Sequence, residues 1–281
     1  MRSGIKWATG LAVVGIVALG GWRIDATSQA VLTHVYARPG HALAILPSAQ
    51  MVSAGRRLVR INGCSDCHGS GDTGHVVLTG WLGTRLVAPN LTVLAHRLST
   101  QQLAAAIRYG VKPDGRAVIS MPAQRFLRES DADVAAMIAY LQSRPAKPNT
   151  AGTTHWGLVG RAMLATGLIP IAAQHLHPSE RGPLSTPVAP LALGRYLTHT
   201  QCSACHGRHL SGEADVDSPD LRFAIKHYSL AAFESFFRTG IGQLGHGTST
   251  MTPLIRRRFH LLTKAEVRAI YLYLNHSTAE S

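Results

Sequence analysis

Two five-residue motifs, Cys64-Ser65-Asp66-Cys67-His68 and Cys202-Ser203-Ala204-Cys205-His206, constrain this chain more than any other feature. Between them they use every cysteine in the 281 residues. Both read C-x-x-C-H. At that spacing two thiols can form thioethers to one porphyrin while the adjacent histidine offers a ring nitrogen to the iron. A zinc centre built from C-x-x-C pairs would keep the pairs close in sequence, and it would not need a histidine after each one. A thioredoxin-type redox motif has no use for that histidine either. The spacing predicts two covalently bound haem c groups, one on Cys64 and Cys67 and one on Cys202 and Cys205. His68 and His206 are the expected proximal iron ligands.

The flanking sequence repeats as well. Gly55-Arg56-Arg57-Leu58 precedes the first motif and Gly194-Arg195-Tyr196-Leu197 the second, and Pro89-Asn90-Leu91 corresponds to Pro219-Asp220-Leu221. Ser99, Arg108, Gly110 and Met121 then match Ser229, Arg238, Gly240 and Met251 at identical offsets, and Ser130 with Tyr140-Leu141 matches Thr263 with Tyr273-Leu274. Such a duplication means two copies of one fold. Each copy reads as three helices: one ending at the motif, one capped by Ser99 or Ser229 and closed by glycine, and one starting at Ser130 or Thr263. No convincing alternating strand is present, so the expected class is all-α. Aromatic residues make up only 6% of the chain, few for two cores unless something besides side chains fills them.

Met121, before Pro122, and Met251, before Pro253, are expected in Pro-flanked loops between the second and third helices of each copy and are the candidate sixth ligands. Bis-histidine ligation is the alternative. His246 lies near Met251, but neither it nor His75, His96, His209 or His260 has a partner in the other repeat.

Ahead of the repeats, Trp7–Trp22 carries no charge, and Arg23 closes the run. It reads either as a membrane anchor or as a cleaved secretory signal, with Ala18-Leu19-Gly20 as a possible cleavage site. The expected segments are 1–47 for this lead, 48–145 and 188–281 for the two units, and 146–187 for a Pro-bounded linker. The apolar stretch Trp156–Ala173 in the linker would pack across the two units or lie at a membrane interface. The formal charge of +13 is spread along the chain rather than gathered into a stripe, which speaks against nucleic acid and favours acidic partners or anionic lipid. Arg256-Arg257-Arg258 reads as a solvated turn.

With these motifs in view, the chain resembles membrane-anchored di-haem class I cytochromes c, similar to the cytochrome c subunits of bacterial periplasmic dehydrogenases. Val111-Lys112-Pro113-Asp114-Gly115-Arg116, leading to Met121-Pro122, is similar to that family's approach to its distal ligand. Leu158-Val159-Gly160-Arg161-Ala162-Met163-Leu164 resembles its linker. The second copy has Gly245-His246-Gly247-Thr248-Ser249 in place of the Asp-Gly loop. The resemblance implies two tandem cytochrome c-like domains behind an N-terminal helix, facing the periplasm from the inner membrane or soluble there after cleavage. It implies an electron carrier in a respiratory chain, between a dehydrogenase donor and an oxidase or other cytochrome acceptor, and not an enzyme. A di-haem peroxidase is the alternative. It would need an open iron, which repeat-matched methionines do not provide.

Overall fold

The computed structural model describes residues 2–37, 43–148, 151–243 and 245–277. The first helix, α1 (Arg2–Thr33), is longer than the uncharged run predicts. It does not stop at Arg23, because Asp25 is paired with Arg161 at 2.8 Å and Ser28 is buried beneath the same guanidinium. Val31 and Leu32 then pack on Ala117, Leu164 and Ile171. Within the apolar stretch Gly10–Thr33 the most apolar 18 residues have a mean hydropathy of 1.3 and none of them is buried, and the 24 residues would span about 36 Å as a helix. Trp22 is exposed, while the side chains of Arg2, Lys6 and Trp7 lie outside the described part.

The first unit comprises α2 (Ala49–Ile61), α3 (Cys64–His68), α4 (Leu91–Arg97), α5 (Thr100–Tyr109) and α6 (Asp131–Ser143). Short polar side chains start these helices. Ser48, Asn90, Ser99 and Ser130 each accept a backbone N–H of the first turn, and Ser99 with Gln102 closes a full capping box. One feature departs from the all-α expectation: β1 (His75–Thr79) and β2 (Arg85–Ala88) form an antiparallel hairpin. Helices α2 and α6 meet backbone to backbone. A Cβ on Gly55 would stand 1.9 Å from the Ala136 carbonyl oxygen, so only glycine permits the crossing. Val59, Leu103, Val134, Met137, Ile138 and Leu141 fill the core beside it.

The linker is bound to the first unit over most of its length. Asn90 donates to the Lys147 carbonyl at 2.8 Å, and His155 pairs with Arg85 as an added strand residue. Of the apolar stretch, α7 (Leu158–Ala165) is the α-helical part, and it lies against α1 rather than across the two units. The Thr84 hydroxyl accepts the Gly160 N–H and fixes α7 to the first unit. Further on, Pro183 and Leu184 accept backbone N–H groups from the start of α6. A segment with this many partners is a strap, not a free spacer.

The second unit comprises α8 (Pro190–Leu197), a π-turn over Thr198–Cys202, α9 (Ser203–His206), α10 (Leu221–Ala224), α11 (Leu230–Thr239), α12 (Met251–Arg257) and α13 (Lys264–Ser277). It repeats the glycine crossing to the ångström, since a Cβ on Gly194 would stand 1.9 Å from the Ala269 carbonyl oxygen. Its core gathers Phe233, Phe237, Ile255, Phe259 and Ile270, and Ile61 of the first unit joins it. Gly55→Val and Gly194→Val should each cost about 3 kcal/mol or more, since the clash is with backbone and cannot be relieved by a rotamer. Thermal unfolding of the purified variants checks this, and a melting temperature unchanged from wild type would show that the crossing is not tight.

Candidate haem-attachment sites

In the first unit α2 ends at Asn62, Gly63 turns the chain, and α3 carries the motif. His68 is 9% exposed, and its Nδ1 lies 2.7 Å from the Pro89 carbonyl oxygen. Burial pushes its pKa below the ordinary value, so the ring is neutral, Nδ1–H donates to the carbonyl, and Nε2 is the remaining donor atom for a metal. Burial also pushes the Cys64 thiol up to about 12. A thiol kept protonated in this way suits neither a thiolate metal ligand nor a redox nucleophile, but it is compatible with a sulfur bonded to carbon.

The second motif has the same geometry. His206 is buried and its Nδ1 lies 2.9 Å from the Pro219 carbonyl oxygen, and the Cys202 thiol is likewise pushed up to about 12 by burial. The turns that follow also match. Gly74 N–H donates to the His68 carbonyl and Gly212 N–H to the His206 carbonyl, both at 2.9 Å. The sequence marked the Pro-Asn-Leu and Pro-Asp-Leu segments as repeats without revealing why proline is there. Its carbonyl orients the histidine, while Asn90 or Asp220 caps the next helix. Among the described residues no three His, Cys, Asp or Glu side chains converge on a metal-sized site. The donor set and the two oriented histidines therefore fit haem c better than a zinc centre.

The methionine loops are alike despite their different sequences. Bridges Val111–Ala117 and Ile241–Gly247 are each closed by a turn with glycine at positive φ, Gly115 at 82° and Gly245 at 78°. The missing Asp-Gly pair in the second copy therefore does not change the path of the chain, because Gly245 supplies the left-handed residue. Each methionine follows its bridge by the same number of residues. Met121 lies in a loop after Ser120, whereas Met251 opens α12 and so is not in a loop as the sequence suggested. Both are half-buried, and Met251 packs on the second core. His75, His96, His209, His246 and His260 are all exposed.

Two sequence-matched features diverge. Arg108 is 2% exposed, donates to the Leu127 and Glu129 carbonyls, and pairs with Asp131 at 2.8 Å, whereas its repeat partner Arg238 is exposed. Arg258 is not solvated as the triple-arginine turn suggests. Its guanidinium covers Gly63 and pairs with Asp66 inside the first motif. Arg125 lies within electrostatic reach of both Cys205 and Cys64, and its buried Nε has no hydrogen-bond partner. Arg108→Met should destabilise the fold by about 3–5 kcal/mol, because Asp131 and two carbonyls lose a buried partner. Arg238→Met should cost less than about 0.5 kcal/mol. Comparing the two variants by chemical denaturation checks the asymmetry, and equal losses would contradict it.

Comparison with known proteins agrees with this geometry. Residues 50–141 match the family described as "Cytochrome C oxidase, cbb3-type, subunit III". The fructose dehydrogenase cytochrome subunit of Gluconobacter japonicus is 23% identical over 289 aligned positions, covering 89% of this chain and 57% of that protein. The chain thus spans little more than half the length of the curated relative it matches. Residues 50–141 thus form a cytochrome c domain, a type that holds haem c covalently, in a chain similar to the cytochrome subunit of a dehydrogenase.

Proposed function

We propose that the chain is a di-haem c-type cytochrome built of two tandem cytochrome c-like domains, 48–145 and 188–281. The linker 146–187 joins them, and the lead segment 1–47 holds both domains on the periplasmic face of the bacterial inner membrane. One haem is attached through Cys64 and Cys67 with His68 and Met121 as axial ligands. The other is attached through Cys202 and Cys205 with His206 and Met251. The observation that carries this reading is the duplicated clamp, in which each motif histidine has its Nδ1 turned to a proline carbonyl. Haem, when bound, supplies the one-electron couple. His68, Met121, His206 and Met251 would hold the iron through neutral nitrogens and soft thioethers, and the buried Arg125 would add a cation beside both motifs.

Electrons would pass from a periplasmic dehydrogenase-type donor to a respiratory acceptor, an oxidase or another cytochrome. The two names found by comparison support these two classes of partner, and the charge of +13 favours acidic docking faces. The anchor reading is supported by α1, whose apolar part is long enough to cross a membrane. Both readings export the haem units.

The purified full-length protein should hold two haems per chain by pyridine haemochrome assay, with neither extracted by acid acetone. Both ferrous haems should resist carbon monoxide, and Met121→Ala or Met251→Ala should open one while leaving the other closed. A single haem, or carbon monoxide binding by the wild type together with turnover of peroxide, overturns the assignment. In cells, the protein should remain with membranes through carbonate extraction. A soluble form starting near Gly21 would decide for cleavage.

A further inference from the structure

A buried acidic cluster lies between the two attachment segments, and no step proposed above uses it. Glu129 is 1% exposed and follows the loop that carries Met121. Its Oε1 accepts a hydrogen bond from Gln201 Nε2 at 3.1 Å, and its Oε2 lies 3.2 Å from the Tyr196 hydroxyl. That hydroxyl also lies 2.5 Å from Asp133 Oδ2 and accepts the Ser130 N–H at 2.8 Å. Tyr196 therefore has one hydrogen to give and two carboxyl oxygens to satisfy. With the phenol proton on Asp133, the nearer oxygen, the contact with Glu129 is a hydrogen bond only if Glu129 carries a proton of its own. With both carboxyls ionised, one of the two contacts sets acceptor against acceptor.

The surrounding charges point the same way. Burial first, and then the Asp133 carboxylate, push Glu129 up to about 7, against the pull of Asn62, Tyr196 and Arg108. Arg108 is mainly engaged with Asp131, which also faces Arg181. Arg125 and Arg258, the latter paired with Asp66, are further cations on the side of the attachment segments. Burial and the two carboxylates push the Tyr196 phenol above its ordinary value, so it stays neutral.

The cluster is within reach of both redox sites. Gln201 is bonded in sequence to Cys202. Asn62, whose Oδ1 accepts from Gln201 at 3.3 Å, is one residue removed from Gly63-Cys64. The charge of Glu129 also raises the Cys64 thiol.

We propose that Glu129 is a redox-linked proton site: it takes up one proton when an electron from the reduced donor protein enters the chain, and releases it when the electron leaves. The electron removes one positive charge at the iron, and the proton turns the Glu129 carboxylate into the acid, so the charge of the buried junction is unchanged. The proton comes from water. Asp133, which is part-exposed, passes it to the Tyr196 oxygen as the phenol hydrogen moves to Glu129, and no other bond is altered. The sign follows from linkage: reduction weakens the field that favours the carboxylate and raises the affinity of Glu129 for a proton, so the reduced state gains as the pH falls.

This inference rests on the di-haem reading, so the haem count is taken first. A count of one defeats that reading, and only with a count of two does the next step bear on Glu129. In spectroelectrochemical titration of the full-length protein, the midpoint potential of at least one haem should fall as the pH rises through about 7. Glu129→Gln should be flat over the same range, since its amide keeps the shape and can donate to Tyr196. The redox difference infrared spectrum should gain a protonated-carboxyl band on reduction, and Glu129→Gln should lose it. A flat wild type, or a slope and band that survive in Glu129→Gln, overturns the proposal. Should Glu129→Gln fail to load haem, Tyr196→Phe keeps the carboxyl and removes the phenol. It should shift the pH at which the potential falls, and an unmoved profile counts against the proposal.

Discussion

The backbone contact at Gly55, repeated at Gly194, is the constraint on which the rest of the structure depends. It draws the first helix of each unit onto the last and fixes where the first helix delivers its C-x-x-C-H segment. It also fixes where the start of the last helix projects. Two residues past each glycine, a side chain crosses to the other unit. Arg57 forms a two-pronged pair with Glu266, both bonds at 2.8 Å, and Tyr196 reaches Asp133 at 2.5 Å. Arg57 and Tyr196 are matched positions of the repeat, and so are Glu266 and Asp133, each the third residue of its last helix. The junction is therefore pseudo-two-fold, with one surface patch used twice, as in an isologous dimer. A wider helix crossing would shift both ends of every such pair.

What the sequence revealed was local or repeated. The motifs, the caps at Ser99, Ser130 and Thr263, and the methionine spacing depend on residues a few positions apart, and duplication doubles each signal. The hairpin was not legible, because β1 is almost wholly exposed and β2 has four residues, so neither shows a buried alternation. Nor was the fate of the linker, whose partners Asn90, Thr84 and Leu127 are far away in sequence. The roles of arginines misread for the same reason. Arg108 and Arg238 occupy matched positions, yet only the first has an acidic residue and two carbonyls folded back onto it. Glu129 gave no signal at all, because a lone glutamate in a loop reads as surface until tertiary packing buries it.

The junction is symmetric in position and asymmetric in chemistry. In one half Arg57 meets Glu266 and Arg258 meets Asp66, two pairs that retain some contact with water. Although burial opposes it, hydrogen bonds from Arg57 and from the Thr263 N–H hold the Glu266 carboxyl below its ordinary pKa, so this clasp stays ionised well below neutral pH. In the other half a phenol replaces Arg57 and Arg125 stands where Arg258 would. Ala204 stands at the position of Asp66, so the second motif offers Arg125 no carboxylate. Glu129 takes the place of buried Leu262. Partly exposed ion pairs are worth little each, about 0.2–1 kcal/mol. A junction closed by such pairs on one side can change protonation on the other without coming apart. The half that diverged toward buried, neutral or titratable groups is the half that touches both attachment segments, so a proton gained there would act on the proposed haem potentials rather than on the fold.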